Sequence, residues 1–342
     1  MAKQGGFDPS RLAQASRPPA VVQQILTSQS TETSGFTEVR AIGVGGAGGN
    51  AINRLIAANV QGISFAVINT DAQALASSSA QTRLRIGERL TGGLGSGGDP
   101  ARGQEAALES EREIRALVDK TDMVFVTAGM GGGTGTGASP LVARWAKEAG
   151  ALTVGVVTRP FSFEGARRRS MAAKGVADML TSVDALLVVP NDRLIDLSTR
   201  RTQLTEAFKL ADDVMLQGIR GISDLITTTG LVNVDFADVK AVLTGGGLAH
   251  MAMGTGYGRV KGEDAARRAI ASPLLETPLR GARALLLNCV GGPDMALFDV
   301  NQAAEIIAGE ADPEAEIIFG AFVHPRLTDE LQITVIAAGL PS

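Results

Sequence analysis

The sequence predicts a doubly wound α/β domain, built on a parallel sheet, which a central helix joins to a smaller mixed α/β domain. Two observations favour this fold class. Short apolar runs alternate with stretches of helical periodicity, as in a parallel sheet with helices on both faces. Glycine clusters follow some of these runs, at the carboxyl ends where such sheets hold ligands. The runs of the first domain lie at residues 39–44, 63–68, 123–128, 152–157 and 185–189.

Composition limits the function classes. The 342 residues, 44% of them hydrophobic, suffice for two domains with substantial cores. A net charge of −4 with interspersed acids and bases argues against a nucleic-acid partner, because such proteins carry a basic stripe. The single cysteine, Cys289, excludes a disulfide framework and lies in a predicted core strand. The sequence has no apolar run of about 18 residues and no signal pattern. We therefore expect a cytoplasmic protein with no direct membrane insertion.

The predicted segments are a disordered N-terminal extension at 1–38, a first domain at 39–202, a central helix at 203–222 and a second domain at 223–342. The extension is rich in Gln, Ser, Thr, Ala and Pro, and its short apolar patch fits a transient turn or a docking segment. Apolar residues at helical spacing predict the central helix. The strands predicted for the second domain lie at 284–290, 316–323 and 331–338.

A glycine-rich motif follows the third apolar run. Residues 129–137 read Gly-Met-Gly-Gly-Gly-Thr-Gly-Thr-Gly and precede Ser139-Pro140. Serine at an N-cap and proline at the first helical position predict that a helix begins there. Glycines let oxyanions reach the backbone N–H groups beside the positive end of the helix dipole, so the junction is predicted to bind phosphate. A flexible linker is less consistent with a motif that a strand and a capped helix flank.

Two further glycine clusters lie in the first domain. Gly43, Gly45 and Gly48 follow the spacing G-x-G-x-x-G, and Asp71 follows the next run, a pattern that alone indicates NAD. The cluster at 92–98 comes just before a second helix start, and three phosphate loops favour a nucleoside triphosphate. The sequence has no G-x-x-x-x-G-K-[ST] segment, so backbone amides and a metal ion must balance the phosphate charge.

The candidates for activating water are Asp235 and Asp238. They lie three residues apart after Asn233, at a predicted loop-to-helix junction, and both project on one side of the first helical turn. An N-cap acid and a first-turn acid that the helix dipole favours would give the same pattern. The residues alone leave both interpretations open.

From residue 39 to 339 the chain resembles FtsZ, the bacterial tubulin-like family of cell-division GTPases. The most specific match is the glycine-threonine motif at 131–137, which resembles the signature of tubulin and FtsZ. The other matching segments are 46–50, 69–71, 159–165, 190–193, 233–239, 272–276 and 332–339.

The resemblance implies binding of GTP/GDP with Mg²⁺. The implied nucleotide-binding residues are Gly46, Ala47, Gly48, Gly49, Asn50, Gly133, Thr134 and Gly135 at the phosphates, Glu164 and Arg168 on the ribose side, Asn191 and Asp212 at the guanine, and Asp71. Asn and Asp side chains can pair with the guanine N1–H and exocyclic amine, which adenine lacks, so GTP rather than ATP is expected. Arg168 also lies in a run with Arg167 and Arg169 that would suit a solvated helix face.

The resemblance further implies a split active site. Asn233, Asp235 and Asp238 match a loop that enters the nucleotide pocket of the neighbouring subunit, so hydrolysis of the GTP phosphoric anhydride would depend on a head-to-tail homopolymer. The expected filament is cytoplasmic and assembles at the division site. Division-ring or membrane-tethering proteins are possible partners. The sequence stops at Pro341-Ser342 without the polar linker and terminal peptide that dock such partners, which indicates either a truncated chain or a tail-less paralogue.

Two alternatives stay open at this point. A structural paralogue would bind GTP and co-assemble with a full-length relative but hydrolyse poorly, and the presence of both Asp235 and Asp238 counts against it. A nicotinamide-dependent oxidoreductase would use the first glycine motif and Asp71, but it leaves residues 131–137 unexplained. His250 and His324 are far apart and are expected to be structural or surface residues, and segment 245–250 departs from the family pattern.

Overall fold

The computed structural model describes residues 37–196, 202–228, 230–232, 234–275 and 278–339. The predicted extension at 1–38 lies outside these ranges as far as residue 36. The strands are β1 Val39–Val44, β2 Ile63–Asn69, β3 Thr82–Arg85, β4 Met123–Gly129, β5 Leu152–Arg159, β6 Ala185–Pro190, β7 Gly247–Tyr257, β8 Ala284–Gly291, β9 Glu316–Val323 and β10 Glu330–Ala338. The α-helices are α1 Gly45–Ala57, α2 Ala72–Ala76, α3 Glu88–Thr91, α4 Pro100–Glu109, α5 Glu111–Val118, α6 Thr134–Glu148, α7 Ala166–Leu180, α8 Asn191–Asp196, α9 Leu204–Thr227, α10 Phe236–Leu243, α11 Lys261–Ile270 and α12 Leu297–Ala308.

The strands form one sheet in the order β3-β2-β1-β4-β5-β6-β7-β10-β8-β9. Strands β1 to β6 are parallel, and β7 joins β6 in parallel through residues 247–249. Strand β10 then runs antiparallel to both β7 and β8, and β8 pairs in parallel with β9. The predicted class is confirmed: a doubly wound parallel half continues into a mixed half.

Helices cover both faces of the parallel half. Successive strand residues point to opposite sides of the sheet, and because consecutive residues of these strands are apolar, both faces need cover. In β4, Phe125 packs into the cluster under α1, α9 and α10, whereas Val124 and Val126 pack into the cluster under α4 to α7. A third cluster lies between the mixed half and helices α11 and α12. Cys289 is fully buried in β8, as predicted.

The central helix runs along the sheet. Helix α9 buries one face from Ala211 to Leu225, and this face belongs to a cluster that includes residues of both halves of the sheet. The predicted helix at 203–222 is therefore present and longer at its C-terminal end. The division into domains at 39–202 and 223–342 stays a prediction.

The predicted start of α6 at Ser139-Pro140 is wrong. The helix begins at Thr134, with Pro140 inside it, and the Ser139 hydroxyl donates to the Gly135 carbonyl at 2.6 Å. Glycine costs about 1 kcal/mol in a helix, which is why its cluster was expected to be a loop. Packing overrides this preference, because a Cβ at Gly137 would lie 2.0 Å from the Pro100 carbonyl oxygen of α4.

Strands β3 and β7 were not predicted. Strand β7 was missed because its glycines do not give the apolar pattern of a buried strand. Helix α11 lies directly on β7, where a Cβ at Gly254 would meet the Ala265 carbonyl oxygen at 2.0 Å. His250 is buried in this strand opposite Ala337. The unusual segment at 245–250 therefore begins a strand at the junction of the two halves of the sheet.

The packing of α6 on α4 predicts that Gly137→Ala is destabilising. The added Cβ must push the two helices apart, and overpacking of this kind costs about 1–3 kcal/mol, more than alanine gains from its helix propensity. Urea unfolding of the nucleotide-free protein measures the change. Gly309→Ala is the matched control, because the nearest atom to its Cβ would be the Glu305 carbonyl oxygen at 3.4 Å and its φ of −65° suits alanine. Equal stability of the two variants would contradict the prediction.

Candidate functional site

A cavity of about 630 Å³ opens at the carboxyl ends of the parallel strands. It is lined by Val44, Gly46, Ala47, Asn50, Asn69, Thr70, Asp71, Ala74, Leu94, Gly95, Ser96, Gly97, Gly98, Gly129, Met130, Gly132, Gly133, Thr134, Gly135, Thr158, Pro160, Glu164, Arg168, Asn191, Phe208, Ala211, Asp212 and Met215. Its walls thus come from the ends of four parallel strands, β1, β2, β4 and β5, from the loop at 94–98, from the helices α1, α2, α6, α7 and α8, and from α9. This is the edge at which open α/β sheets bind ligands.

Two helix N-termini face the cavity. Gly46 and Ala47 lie in the first turn of α1, and Thr134 and Gly135 open α6. No side chain of the described residues caps either helix, so their first N–H groups keep their hydrogen-bonding capacity. Gly45, at a φ of +74°, brings the two loops so close that a Cβ there would lie 2.9 Å from the Gly135 nitrogen. Two uncapped dipoles at one place form an anion site.

A hydroxyl network fixes Thr134. Its Oγ1 lies 2.7 Å from Thr70 Oγ1 and 3.0 Å from Ser96 Oγ, and all three side chains are buried. The network connects α6 with β2 and with the third glycine cluster. A Cβ at Gly133 would lie 2.2 Å from Ser96 Oγ, so the loops fit together only when this residue is glycine.

The third glycine cluster forms a wall of the cavity. Gly95, Gly97 and Gly98 have positive φ angles, which glycine adopts without strain. The predicted helix start after them is confirmed: Asp99 is the N-cap of α4 and accepts from the Ala101 nitrogen at 2.9 Å. Three glycine loops therefore converge on one cavity.

Asp71 has a structural role besides its place on the wall. Its Oδ1 accepts from the backbone nitrogens of Gln73 at 2.8 Å and Ala74 at 3.1 Å, which caps α2. These bonds fix the carboxylate at the end of β2, within the cavity lining.

Glu164 and Arg168 form an ion pair on the part of the cavity wall that comes from the start of α7 and the turn before it. Glu164 also accepts from the Phe161 nitrogen at 2.9 Å, which closes the turn that precedes α7. The Glu164 side chain is largely buried, whereas half of the Arg168 side chain is exposed. Arg168 lines the cavity, although it belongs to an arginine run that would also suit a solvated helix face.

Asn191 carries an unsatisfied polar atom. The residue follows β6 and is only 5% exposed, and its Oδ1 has no hydrogen-bond partner among the described residues. A buried acceptor without a partner costs about 1–3 kcal/mol. Such an atom on a cavity wall indicates that a ligand supplies the missing donor.

Asp212 of α9 is the ionisable group whose acidity the cavity changes. Burial raises the pKa of its carboxyl to about 6, an effect that the attraction of Arg54 opposes and the repulsion of Asp213 supports. Arg54 pairs with Asp213 and so connects α1 to α9. Desolvated carboxylates are strong acceptors, so Asp212 and Asn191 together suit a ligand edge rich in N–H groups.

The structure brings most predicted nucleotide residues together. Gly48 and Gly49 do not line the cavity: a Cβ at Gly48 would lie 2.4 Å from the Thr127 carbonyl oxygen, so this glycine lets α1 approach β4. Thr70 and Ser96 were missed as site residues. Both lie beside motifs that the sequence did single out, at 69–71 and 92–98, but neither residue type signals a buried hydroxyl network.

The predicted catalytic acids lie elsewhere. Asp235 and Asp238 are exposed at the N-terminus of α10, the predicted junction, and neither lines the cavity. Asn233 lies outside the described residues. Helix α9 rises about 22 Å from Asp212 to Thr227, and the acids follow its far end. Asp212 lies near one end of α9, on the cavity, and the segment that carries the acids follows the other end.

Within the described ranges, no group of three or more His, Cys, Asp and Glu side chains is placed to hold a metal ion. Each helix in the same ranges is too short or too polar to span a bilayer.

Known proteins match both halves of the chain. Residues 38–199 match the family model for the Tubulin/FtsZ family, GTPase domain, and residues 247–341 match that for the FtsZ family, C-terminal domain. An empty FtsZ dimer from M. jannaschii is 39% identical, covers 94% of this chain and 93% of that chain, and has a TM-score of 0.87.

More distant relatives share the fold. A GDP-bound monomer of CetZ1 from Haloferax volcanii is 22% identical over 89% of this chain and 95% of that chain, with a TM-score of 0.75. A GTPγS-bound protofilament of CetZ2 from the same organism is 24% identical over 89% and 93% of the two chains, with a TM-score of 0.74. With both FtsZ domain models matched in order and 39% identity over 94% of its length, the chain belongs to the FtsZ family of tubulin-like proteins.

Proposed function

We propose that the protein binds and hydrolyses GTP and polymerises head-to-tail through its nucleotide site. The observation that carries the nucleotide proposal is the buried, unpaired Oδ1 of Asn191 on the wall that also holds Asp212. Guanine presents an N1–H and an exocyclic amine, and these two acceptors suit that edge. Adenine lacks this pair of donors and would leave both acceptors without partners, so GTP is preferred over ATP.

The phosphates of GTP lie at the N-termini of α1 and α6. Gly46, Ala47, Gly133 and Gly135 offer backbone N–H groups there, and Thr134 is fixed by its hydroxyl contacts. Mg²⁺ bound with the nucleotide would neutralise charge that develops on the phosphates, and it takes most of its ligands from phosphates and water. The Asp71 carboxylate is on the cavity wall and is a candidate for orienting that hydration shell. Glu164 and Arg168 are assigned to the ribose side.

Hydrolysis requires a second copy of the chain. Asp235 and Asp238 are exposed, follow the far end of α9 and do not line the cavity of their own chain. In a head-to-tail contact the end of one subunit that carries these acids would close the cavity of the next. The acids would then polarise the attacking water, with Asn233 from the same loop. Such a contact repeats without closing and generates a filament.

Membership of the FtsZ family supports a proposal for the cellular role. We propose a cytoplasmic filament that assembles at the division site, with division-ring or membrane-tethering proteins as partners. The alternative is a structural paralogue that binds GTP and co-assembles with a relative but hydrolyses poorly. Hydrolysis measurements separate these two roles.

Nucleotide affinity should depend on pH through Asp212. The free protein protonates this carboxyl near pH 6, and the guanine N–H groups favour the ionised form, so affinity rises with pH and levels off above about pH 7. One pH unit below the pKa, GDP should bind about tenfold more weakly than on the plateau. Isothermal titration between pH 5 and pH 8 measures this.

The control is Asp212→Asn, which cannot titrate. The terminal phosphate of GDP also titrates near pH 6, so the difference between the two proteins is the quantity to compare. Identical pH profiles for the two proteins would remove Asp212 from the guanine site.

Asn191→Ala should lower the affinity for GDP without lowering the free energy of unfolding. Loss of the acceptor should weaken GDP binding about tenfold. The free energy of unfolding of the nucleotide-free protein should change little, because the variant also removes an acceptor that is buried without a partner. A variant that loses stability but keeps its GDP affinity would mean that Asn191 is structural.

Asp238→Ala should bind GTP normally and lose most hydrolysis. Phosphate release per subunit, with ATP as control, should be near zero for the native protein below a threshold concentration and rise above it. The variant should stay low at every concentration, because its surface cannot complete the neighbour's site. Normal turnover by the variant at high concentration would reject the assignment.

A mixing experiment tests the split site directly. Asp238→Ala retains its nucleotide cavity, and a protein with both Asn191→Ala and Asp212→Ala retains its acids. If catalysis occurs between subunits, the mixture should hydrolyse GTP faster than either variant alone. A mixture no faster than the sum of its parts would place the acids and the nucleotide in one chain.

A further inference from the structure

A second cavity, of about 530 Å³, lies beside the nucleotide cavity, and most of its lining has no role in the proposed function. It is formed between helix α7, the ends of strands β5 and β6, and the first residues of α8. Pro160 and Asn191 line both cavities. A ligand in the second cavity would therefore be a close neighbour of the nucleotide without occupying its place.

More arginine than acidic side chains line this cavity. Arg159, Arg169 and Arg193 line it together with Asp192. Arg159 already takes part in other contacts, so Arg169 and Arg193, whose side chains are exposed, are the two that concern a ligand. In the Asp192 carboxylate, Oδ1 accepts from the Ser162 nitrogen at 2.7 Å and Oδ2 from its hydroxyl at 2.5 Å. The acid thus fixes the loop at 160–165, and its oxygens are engaged by Ser162.

The guanidinium groups of Arg169 and Arg193 retain donors for a ligand. Arg169 donates through Nη1 to the Ser162 carbonyl at 3.4 Å, and a guanidinium has five N–H donors in a planar fork. Arg193 lies in the first turns of α8 with an exposed side chain. Groups of this shape bind carboxylate and phosphate through paired hydrogen bonds.

The remaining walls are apolar. Pro160 and Pro190 contribute ring surfaces, and α7 contributes Ala172, Ala173 and Val176. A concave site with apolar walls and a few convergent polar groups is typical of sites for small organic molecules. Inorganic phosphate would use the arginines but leave these walls without contacts.

We propose that this cavity binds a small organic anion, with an aromatic or aliphatic body against the prolines and α7 and one carboxylate or phosphate group between Arg169 and Arg193. The site adjoins the nucleotide cavity, with which it shares Pro160 and Asn191, but Arg169 and Arg193 line only the second cavity. The proposal goes beyond the proposed function and does not depend on it.

Equilibrium dialysis of 2-naphthoate against the full chain, in the presence of saturating GDP, tests the proposal. We expect saturable binding of one molecule per chain that GDP does not displace. The neutral analogue 2-naphthamide should bind at least about tenfold more weakly, because it cannot form charge-assisted bonds with the arginines. A parallel series with 2-naphthyl phosphate identifies which head group the site prefers.

Variants locate the site. Arg169→Gln and Arg193→Gln should each weaken 2-naphthoate binding about tenfold. Arg167→Gln is the matched control: it lies on the same helix, is exposed and does not line the cavity. Thermal unfolding checks that all three variants are folded.

Three results would overturn the proposal. These are the absence of saturable binding, displacement of the probe by GDP, and an equal loss of affinity in the control and in the two cavity variants. Because the binding measurement requires no GTP hydrolysis, failure of the proposed GTPase activity would leave its outcome unchanged.

Discussion

The geometry of the site depends on backbone contacts that no side chain interrupts. Helix α6 lies against α4 and β4 so closely that a Cβ at Gly137 would meet the Pro100 carbonyl oxygen at 2.0 Å, and one at Gly135 would meet the Gly129 carbonyl oxygen at 2.7 Å. From the other side, a Cβ at Gly103 of α4 would lie 2.4 Å from the Gly133 carbonyl oxygen. These contacts place the N-terminus of α6 at the sheet edge. The hydroxyls around Thr134, and the loop that carries Ser96, can then pack against it.

The strand order places the hydrogen-bond donors of the cavity apart from its acceptors. The uncapped helices follow β1 and β4, whereas Asn191 follows β6, two strands beyond β4. At the usual strand spacing this is about 10 Å along the sheet edge. Donors therefore gather over one part of the edge and acceptors over another. An elongated ligand with anionic groups at one end and N–H groups at the other, such as GTP, complements this arrangement.

Much of the fold could be predicted from local pattern, because buried parallel strands are continuous apolar runs. The five predicted strands of the first domain are all present as β1, β2, β4, β5 and β6. Apart from the short strand β3, the errors arose where glycine lets two backbones pack closely. Gly135 and Gly137 are helical in α6, and Gly254 and Gly256 are in strand β7, since each lets another backbone approach. Composition alone cannot distinguish such a glycine from a loop glycine, because the neighbour that selects it is distant in sequence.

The same limit applied to the candidate site. Glycine loops identified a place for phosphate, but the unpaired Oδ1 of Asn191 and the raised pKa of Asp212 arise from burial, which a sequence does not show. The buried hydroxyls of Thr70 and Ser96 were missed for that reason as well. In contrast, the exposure of Asp235 and Asp238 agrees with a role at the surface of the molecule.

Helix α9 explains why association could control chemistry in this protein. Its Asp212 end contributes to the cavity, its other end leads towards the exposed acids, and its middle is buried against the sheet from Ala211 to Leu225. The helix thus places the cavity at one end and the segment that leads to the acids at the other. If the acids act on the nucleotide of the neighbouring subunit, a free subunit hydrolyses GTP slowly because its own site lacks them. Each new contact between subunits then completes one site. Turnover would then report the number of contacts formed, which couples hydrolysis of the nucleotide to the lifetime of the assembly.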